Sequence, residues 1–202
     1  INLCPSKRML GTPSWPGAFG EYITAPENTV LHLPDNLSYT QGSLIEPLSV
    51  AIHVTRRANL APHKSAAILG TGSVGGMITG VCHAEGANQV VAVDIHQHCL
   101  DAAQKRLGAT HTLLAPDEKL PEKVKQVTGG EGPDVVFVTA DDPNLVRQGV
   151  EMTARRGRVM LVALLTGSPL HLTAFEILRK ELDIIGNMST NHEDVKRAIE
   201  LA

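Results

Sequence analysis

The chain has 202 residues, 43% of them hydrophobic, 19% charged and 3% aromatic. At roughly 150 residues per domain that is about 1.3 domains, one sizeable core and part of another, and the composition excludes intrinsic disorder. The net charge of −3, from 18 Lys and Arg against 21 Asp and Glu, gives no electrostatic basis for nucleic acid or an anionic membrane as partner.

No stretch of about 18 apolar residues marks a membrane span, and the longest clean run, Val159 to Leu165, suits a buried strand. Cys4, Cys82 and Cys99 form no disulfide framework, which points to a reducing, cytoplasmic setting. The opening Ile-Asn-Leu-Cys-Pro lacks the basic start and apolar core of a signal peptide. A start at Ile1 rather than Met suggests missing residues upstream.

From residue 1 to about Asn36 the chain is rich in Pro and Gly, which disfavours helix because proline lacks the amide donor and clashes with the preceding turn. Short strands are expected over Phe19 to Thr24 and Thr29 to Leu33. A helical stretch is expected from Ser38 or Thr40 to Arg57, started or kinked at Pro47, with Glu46 pushed out of the helical region. Beyond Pro62 apolar runs read as strands: Ala66 to Leu69, Gln89 to Ile95, Asp134 to Ala140, Arg158 to Leu165 and Leu182 to Ile185. Between them Val74 to Ala84, His98 to Leu107, Pro121 to Val127, Leu145 to Ala154 and Thr173 to Lys180 have helical spacing. Gly108, Gly129 and Gly157 fall just past three of these helices, where a left-handed residue is wanted. Continuously apolar strands separated by amphipathic helices predict an α/β domain with a doubly wound parallel sheet.

The segment Ala66 to Gly75 carries Gly70, Gly72 and Gly75 as G-x-G-x-x-G, after a strand and at the start of a helix. The three glycines suit a tight turn, a close approach of backbone to a pyrophosphate, and close helix-to-strand packing. The amides and dipole at the helix start, around Ser73 and Val74, suit the diphosphate. At the end of the next strand stands Asp94, which suits the two ribose hydroxyls of an adenosine and repels a 2′-phosphate. That favours NAD over NADP. The other reading of Asp94 is a plain cap for the following helix.

Two further segments resemble the zinc-dependent medium-chain alcohol dehydrogenases, nearest the sorbitol and polyol branch. Leu44 to His53 is similar to the family's E-P-L-x-V-x-x-H segment. Gly17 to Tyr22 is similar to its G-x-F-A-E-Y strand, and Leu33 to Ser38 to its L-P-D-x-x-S turn. The glycine fingerprint, Arg106 to Ala109 and Leu182 to Gly186 follow in the family's order. The resemblance implies a Rossmann domain at 52–190, the remnant of a β-rich, GroES-like catalytic domain at 1–51, and the start of a return to that domain at 191–202. It implies hydride transfer between a zinc-bound alcohol or polyol and NAD. Glu46 would stand beside the catalytic zinc, and Cys4, in Asn-Leu-Cys-Pro, would be one ligand of a structural zinc. The family's remaining zinc ligands, including its G-H-E pair, do not occur here, and one carboxylate or thiolate cannot hold zinc. On residues alone, Glu46 also reads as a first-turn acid favoured by the helix dipole.

The resemblance carries less weight elsewhere. Val162, Ala163 and Leu164 match the V-G-L segment facing the nicotinamide carboxamide, with Ala163 in place of its glycine. Asn187 and Met188 match another cofactor-lining segment. Ser189 and Thr190 stand where the polyol enzymes have Arg and Tyr, and Cys99 where they have a basic residue. The family implies a homodimer or homotetramer joined at the Leu182 to Ile185 edge. Other readings are a zinc-free, quinone-reductase-like relative and a non-catalytic nucleotide-binding module. His96-Gln97-His98-Cys99 reads as an exposed turn, with adventitious metal binding as the other possibility. Cys82 reads as a small core residue, His53 as packing near the domain junction, and Arg56-Arg57 and Arg155-Arg156 as cations at helix ends.

Overall fold

The structure, a computed structural model, describes residues 2–166 and 169–202. Six strands form one sheet: β1 (Ser65–Leu69), β2 (Gln89–Asp94), β3 (His111–Leu114), β4 (Val135–Val138), β5 (Arg158–Leu161) and β6 (Asp183–Gly186). Their order is β3-β2-β1-β4-β5-β6, and every pairing is parallel. The helices are α1 (Tyr39–Gly42), α2 (Ile45–Ala58), α3 (Ser73–Ala84), α4 (Gln97–Arg106), α5 (Leu120–Val127), α6 (Pro143–Met152), α7 (Ala174–Lys180) and α8 (His192–Leu201).

Side chains alternate across a strand, so an unbroken apolar strand feeds two cores at once. Ala66 and Ile68 face Phe137 and Met160 under Val54 of α2, Ile78 and Cys82 of α3 and Ala198 of α8. Ala67 and Leu69 face Val91, Val93 and Val138 under Val124 of α5 and Val146 and Val150 of α6. Cys82 is the buried core residue expected; desolvation pushes its thiol up to about 12. Strand order reverses between β1 and β4, and that switch opens a crevice at the carboxyl ends of the strands. No helix among the described residues is long and apolar enough to cross a membrane.

Several expectations need correction. Phe19 to Thr24 and Thr29 to Leu33 are not strands; residues 2–38 hold only an isolated bridge between Thr12 and Trp15 and a 3-10 turn at Glu27–Thr29. A strand exists only through a partner's hydrogen bonds, and these segments have none, so Phe19 and Tyr22 lie exposed. The helical stretch breaks at Ser43 and Leu44 rather than at Pro47, and Glu46 is helical. Pro47 falls in the first turn of α2, where its missing amide is no loss. Strand β3 and helix α8 were not expected. Gly157 does not take the left-handed conformation; Arg156 does, at φ 58°. A methyl on Gly157 would press on Thr153 Cγ2 at 2.5 Å, so close packing explains that glycine.

The arginine pairs do more than face helix dipoles. Arg56 lies 2.9 Å from Asp194 and Arg57 donates to Asn187, while Arg156 pairs with Glu181 at 2.7 Å. Helix α6 ends without a glycine because the buried Lys180 ammonium donates to the carbonyls of Val150, Glu151 and Thr153 at 2.8–3.0 Å. Burial lowers its pKa.

At the other end of the sheet, Asp134 ties β1 to β4. It accepts from Lys64 Nζ at 2.9 Å and from the amide and hydroxyl of Ser65 at 2.8 Å. Partial burial pushes its carboxyl up, but these donors outweigh burial and hold it below its ordinary 3.8. A depressed carboxylate stabilises the fold above its unfolded value and loses that contribution as pH falls through the folded one. Asp134→Asn is expected to lower stability at pH 7 by about 1 kcal/mol, the partly exposed ion pair adding little. In urea unfolding the gap to wild type should close below about pH 4; a gap unchanged at pH 3 refutes the assignment.

Candidate functional site

The loop between β1 and α3 is built by its three glycines, each under a different constraint. Gly70 has φ +98°, and a methyl there would meet Ala140 Cβ at 2.8 Å. Gly75 sits so close beneath the loop that its methyl would lie 1.8 Å from the Gly70 carbonyl oxygen. Gly72 has nothing within 4 Å of the place a methyl would occupy. It is also the N-cap of α3, and no side chain caps that helix. Gly72 and Ser73 are exposed, followed by the half-buried Val74. An open backbone face thus leads into uncapped helix amides, an arrangement suited to an anion.

Asp94 closes the site from the end of β2. Its Oδ2 accepts from the amide of Thr71 at 2.7 Å and its hydroxyl at 3.3 Å, and Oδ1 accepts from the amide of His96 at 2.8 Å. Asp94 thus ties the glycine loop to the turn before α4, although no side chain caps that helix at its N-cap, His96. Sequence reasoning missed Thr71, whose contribution comes mainly from a backbone amide that any residue there would supply. It also missed Thr139, whose hydroxyl donates to the carbonyls of Leu69 and Gly70 and fixes the turn from β4.

Beside Gly70 and Asp94 a cavity of about 260 Å³ opens between the ends of β1, β2 and β4. Ile95, Pro116 and Leu145 give it apolar walls, and Asp117, Asp141 and Asp142 join Asp94 along it. No Lys or Arg is among the lining residues described. A hydrogen bond from Lys123 holds the Asp117 carboxyl below its ordinary range, so it stays an anion. The size and apolar walls suit a flat heterocycle, and the acids oppose an extra phosphate. His96 and His98 stack with ring centroids 5.4 Å apart on exposed positions outside this cavity, as the turn reading expected. Burial, then the charge of Asp94, raises the pKa of Cys99.

The remaining site residues lie along the same edge of the sheet. Val162 and Ala163 follow β5, and both amides donate to the Val138 carbonyl at 3.0 Å. Leu164 is exposed. Asn187 follows β6, with its amide on the Leu161 carbonyl at 3.0 Å, and the exposed Met188 comes next. The Thr190 hydroxyl is turned toward helix α2, donating to the Ser49 carbonyl at 3.2 Å.

Glu46 is exposed in the first turn of α2, and Cys4 is exposed in the N-terminal segment. Among the described residues no three His, Cys, Asp or Glu side chains come together to hold a metal ion. Zinc wants about four ligands in tetrahedral array, so the residues present do not form a zinc site.

Residues 73–202 match the family described as zinc-binding dehydrogenases. The chain belongs to that family. Among its relatives, sorbitol dehydrogenase of Bacillus subtilis strain 168 is 36% identical over 92% of the chain and 52% of its own length. An Escherichia coli oxidoreductase/dehydrogenase of unknown specificity superposes with a TM-score of 0.92 at 30% identity, covering 98% of this chain and 56% of that one. A protein of the zinc-binding dehydrogenase type from Sinorhizobium meliloti 1021, bound to NADP, superposes with a TM-score of 0.90 at 26% identity, over 100% of this chain and 59% of that one. The chain therefore spans about half the length of the curated relatives it matches. The Rossmann-like fold expected from the alternation of strands and helices is the fold of this family's structures.

The glycine geometry of the loop separates folding from binding. Gly75→Ala is expected to lower stability by about 1–3 kcal/mol through overpacking against the Gly70 carbonyl. Gly72→Val should leave the thermal midpoint within a few degrees, because its side chain enters open space, yet remove dinucleotide binding. Thermal melts and calorimetric titration of both variants check this; a Gly72→Val protein that still binds would overturn the assignment of the cradle.

Proposed function

We propose that this chain is the NAD(H)-binding part of an alcohol or polyol dehydrogenase. The observation that carries the reading is the open, uncapped start of α3 at Gly72, next to the Thr71 amide from which the Asp94 carboxylate accepts at 2.7 Å. Backbone amides at Gly72, Ser73 and Val74 would hold the diphosphate, with Gly70 and Gly75 shaping the loop. Asp94 retains one acceptor site, on Oδ1, for the adenosine ribose, and the acid-lined cavity would take the adenine. Val162, Ala163, Leu164, Asn187 and Met188 would line the nicotinamide, which supplies hydride chemistry when bound.

In this reading 1–51 belongs to the catalytic domain, 52–190 is the cofactor domain, and 191–202 leads back toward the catalytic domain. Glu46 and Cys4 would each give a single ligand to separate zinc centres completed elsewhere in a longer protein. Substrate is a small alcohol or polyol. A cytoplasmic homodimer or homotetramer is the proposed state, with β6 as the exposed sheet edge available for pairing.

For the chain taken alone, the missing cluster of metal ligands among the described residues favours cofactor binding without turnover. NADH should bind at least about tenfold more tightly than NADPH, the equivalent of one charge-assisted hydrogen bond, and Asp94→Ala should narrow that gap. A native preference for NADPH in calorimetry would reject the assignment of Asp94. The 202-residue chain with added zinc should oxidise no polyol; measurable turnover would show that the active site lies wholly within it.

A further inference from the structure

Helix α2 and the short turn between β6 and α8 are joined by a set of ties that cofactor binding at the glycine loop leaves unexplained. At their centre is Asp194, which is fully buried. It is the third residue of α8 and completes a capping box: the Asn191 side chain accepts from the Asp194 amide, and Asp194 Oδ2 accepts from the Asn191 amide at 3.1 Å. The same Oδ2 lies 2.8 Å from Nδ1 of the buried His53, and Oδ1 lies 2.9 Å from Nη1 of Arg56. A buried carboxylate is costly unless paired and hydrogen-bonded; Oδ2 has the imidazole and the helix start, while Oδ1 has the charge of Arg56 but no hydrogen-bond partner among the described residues.

The turn itself is only five residues, 187–191, and it is pinned at both ends to one helix. At the β6 end, Arg57 of α2 donates to the Gly186 carbonyl and to Asn187 Oδ1. At the α8 end, Thr190 donates to the Ser49 carbonyl of α2, and Asp194 meets His53 and Arg56 of α2. Between the pins, Ser189 holds a left-handed φ of 59°, a conformation that a non-glycine residue keeps only when its surroundings impose it. The Met188 carbonyl also accepts from Asn2 at 3.0 Å. Helix α2 is the element whose first turn carries Glu46.

We propose that Asp194, held by His53 and Arg56, is a positioning residue that sets the Asn187–Thr190 turn against α2. It thereby fixes the nicotinamide end of the cofactor relative to Glu46, without touching the adenosine end. The proposal rests on the cofactor reading above. Two ligands distinguish the two: ADP-ribose reports only the glycine loop and Asp94, whereas NADH reports the nicotinamide end as well.

Calorimetric titration of the 202-residue chain is the test. Asp194→Asn should weaken NADH about tenfold and leave ADP-ribose within about twofold. Thr190→Val, which removes the tie to Ser49 and a 3.4 Å contact with Asp194 Oδ2 but leaves the His53 and Arg56 pairs in place, should weaken NADH about threefold, again sparing ADP-ribose. If Asp194→Asn loses ADP-ribose binding as well, it has lost its fold, and Thr190→Val decides. Equal weakening of both ligands in Thr190→Val, or no change in either, overturns the inference. Wild-type chain that binds neither ligand overturns the cofactor reading itself, and this inference with it.

Discussion

The contact of Gly75 against the Gly70 carbonyl governs the geometry of the whole site. Helix α3 starts directly on the end of β1, leaving no room for even a methyl group between them. That closeness aims the first amides of α3 across the carboxyl edge of the sheet. It also lets the loop curl back far enough for the Thr71 amide to reach Asp94 on the neighbouring strand. The polar rim of the crevice follows from these two contacts. Thr139 adds a third constraint from the far side by bonding the Leu69 and Gly70 carbonyls, so the loop is held by β2 and β4 together.

The central sheet was legible in the sequence wherever strands were apolar on both faces. Ala66 to Leu69 and the core of Asp134 to Ala140 are buried on both sides, and their composition says so. Strand β3 was missed because His111, Thr112 and Leu113 are half-buried and Leu114 is exposed, so the edge strand carries no continuous apolar run. Helix α8 was missed for another reason. Its capping box is Asn191 with Asp194, not the Ser or Thr with Glu that usually marks such a start, and its inward face is only Val195, Ala198 and Ile199. The strands expected near Phe19 and Thr29 fail because extended backbone needs a neighbour to accept its hydrogen bonds, which no local pattern supplies.

At the site, glycine spacing revealed the shape of the loop because Gly70 and Gly75 each answer a steric demand written in residue type, while Gly72 faces open space. Asp94 was visible for the same reason, as a charge at a strand end. Thr71 and the cavity acids were not. Thr71 acts mainly through its main chain, and Asp117, Asp141 and Asp142 come together only because β3 and β4 end on opposite sides of β1. His53 was read as packing near a junction, and it is buried; its pairing with a carboxylate 141 positions away could not be inferred from spacing.

The two ends of the crevice therefore differ in how they are built. The glycine-loop end is local to the sheet: residues 70–75, Asp94 and Thr139 fix one another through hydrogen bonds at the ends of β1, β2 and β4. The other end, at Val162 and Asn187, depends on elements distant in sequence, because Arg57, Ser49 and His53 of α2 hold the turn that follows β6. A change in α2 should then be felt where Asn187 and Met188 lie, not at Asp94. The same helix carries Glu46 in its first turn and leads on toward β1, so one rigid element links that acid to the turn at residues 187–191, and a shift of the helix moves both together.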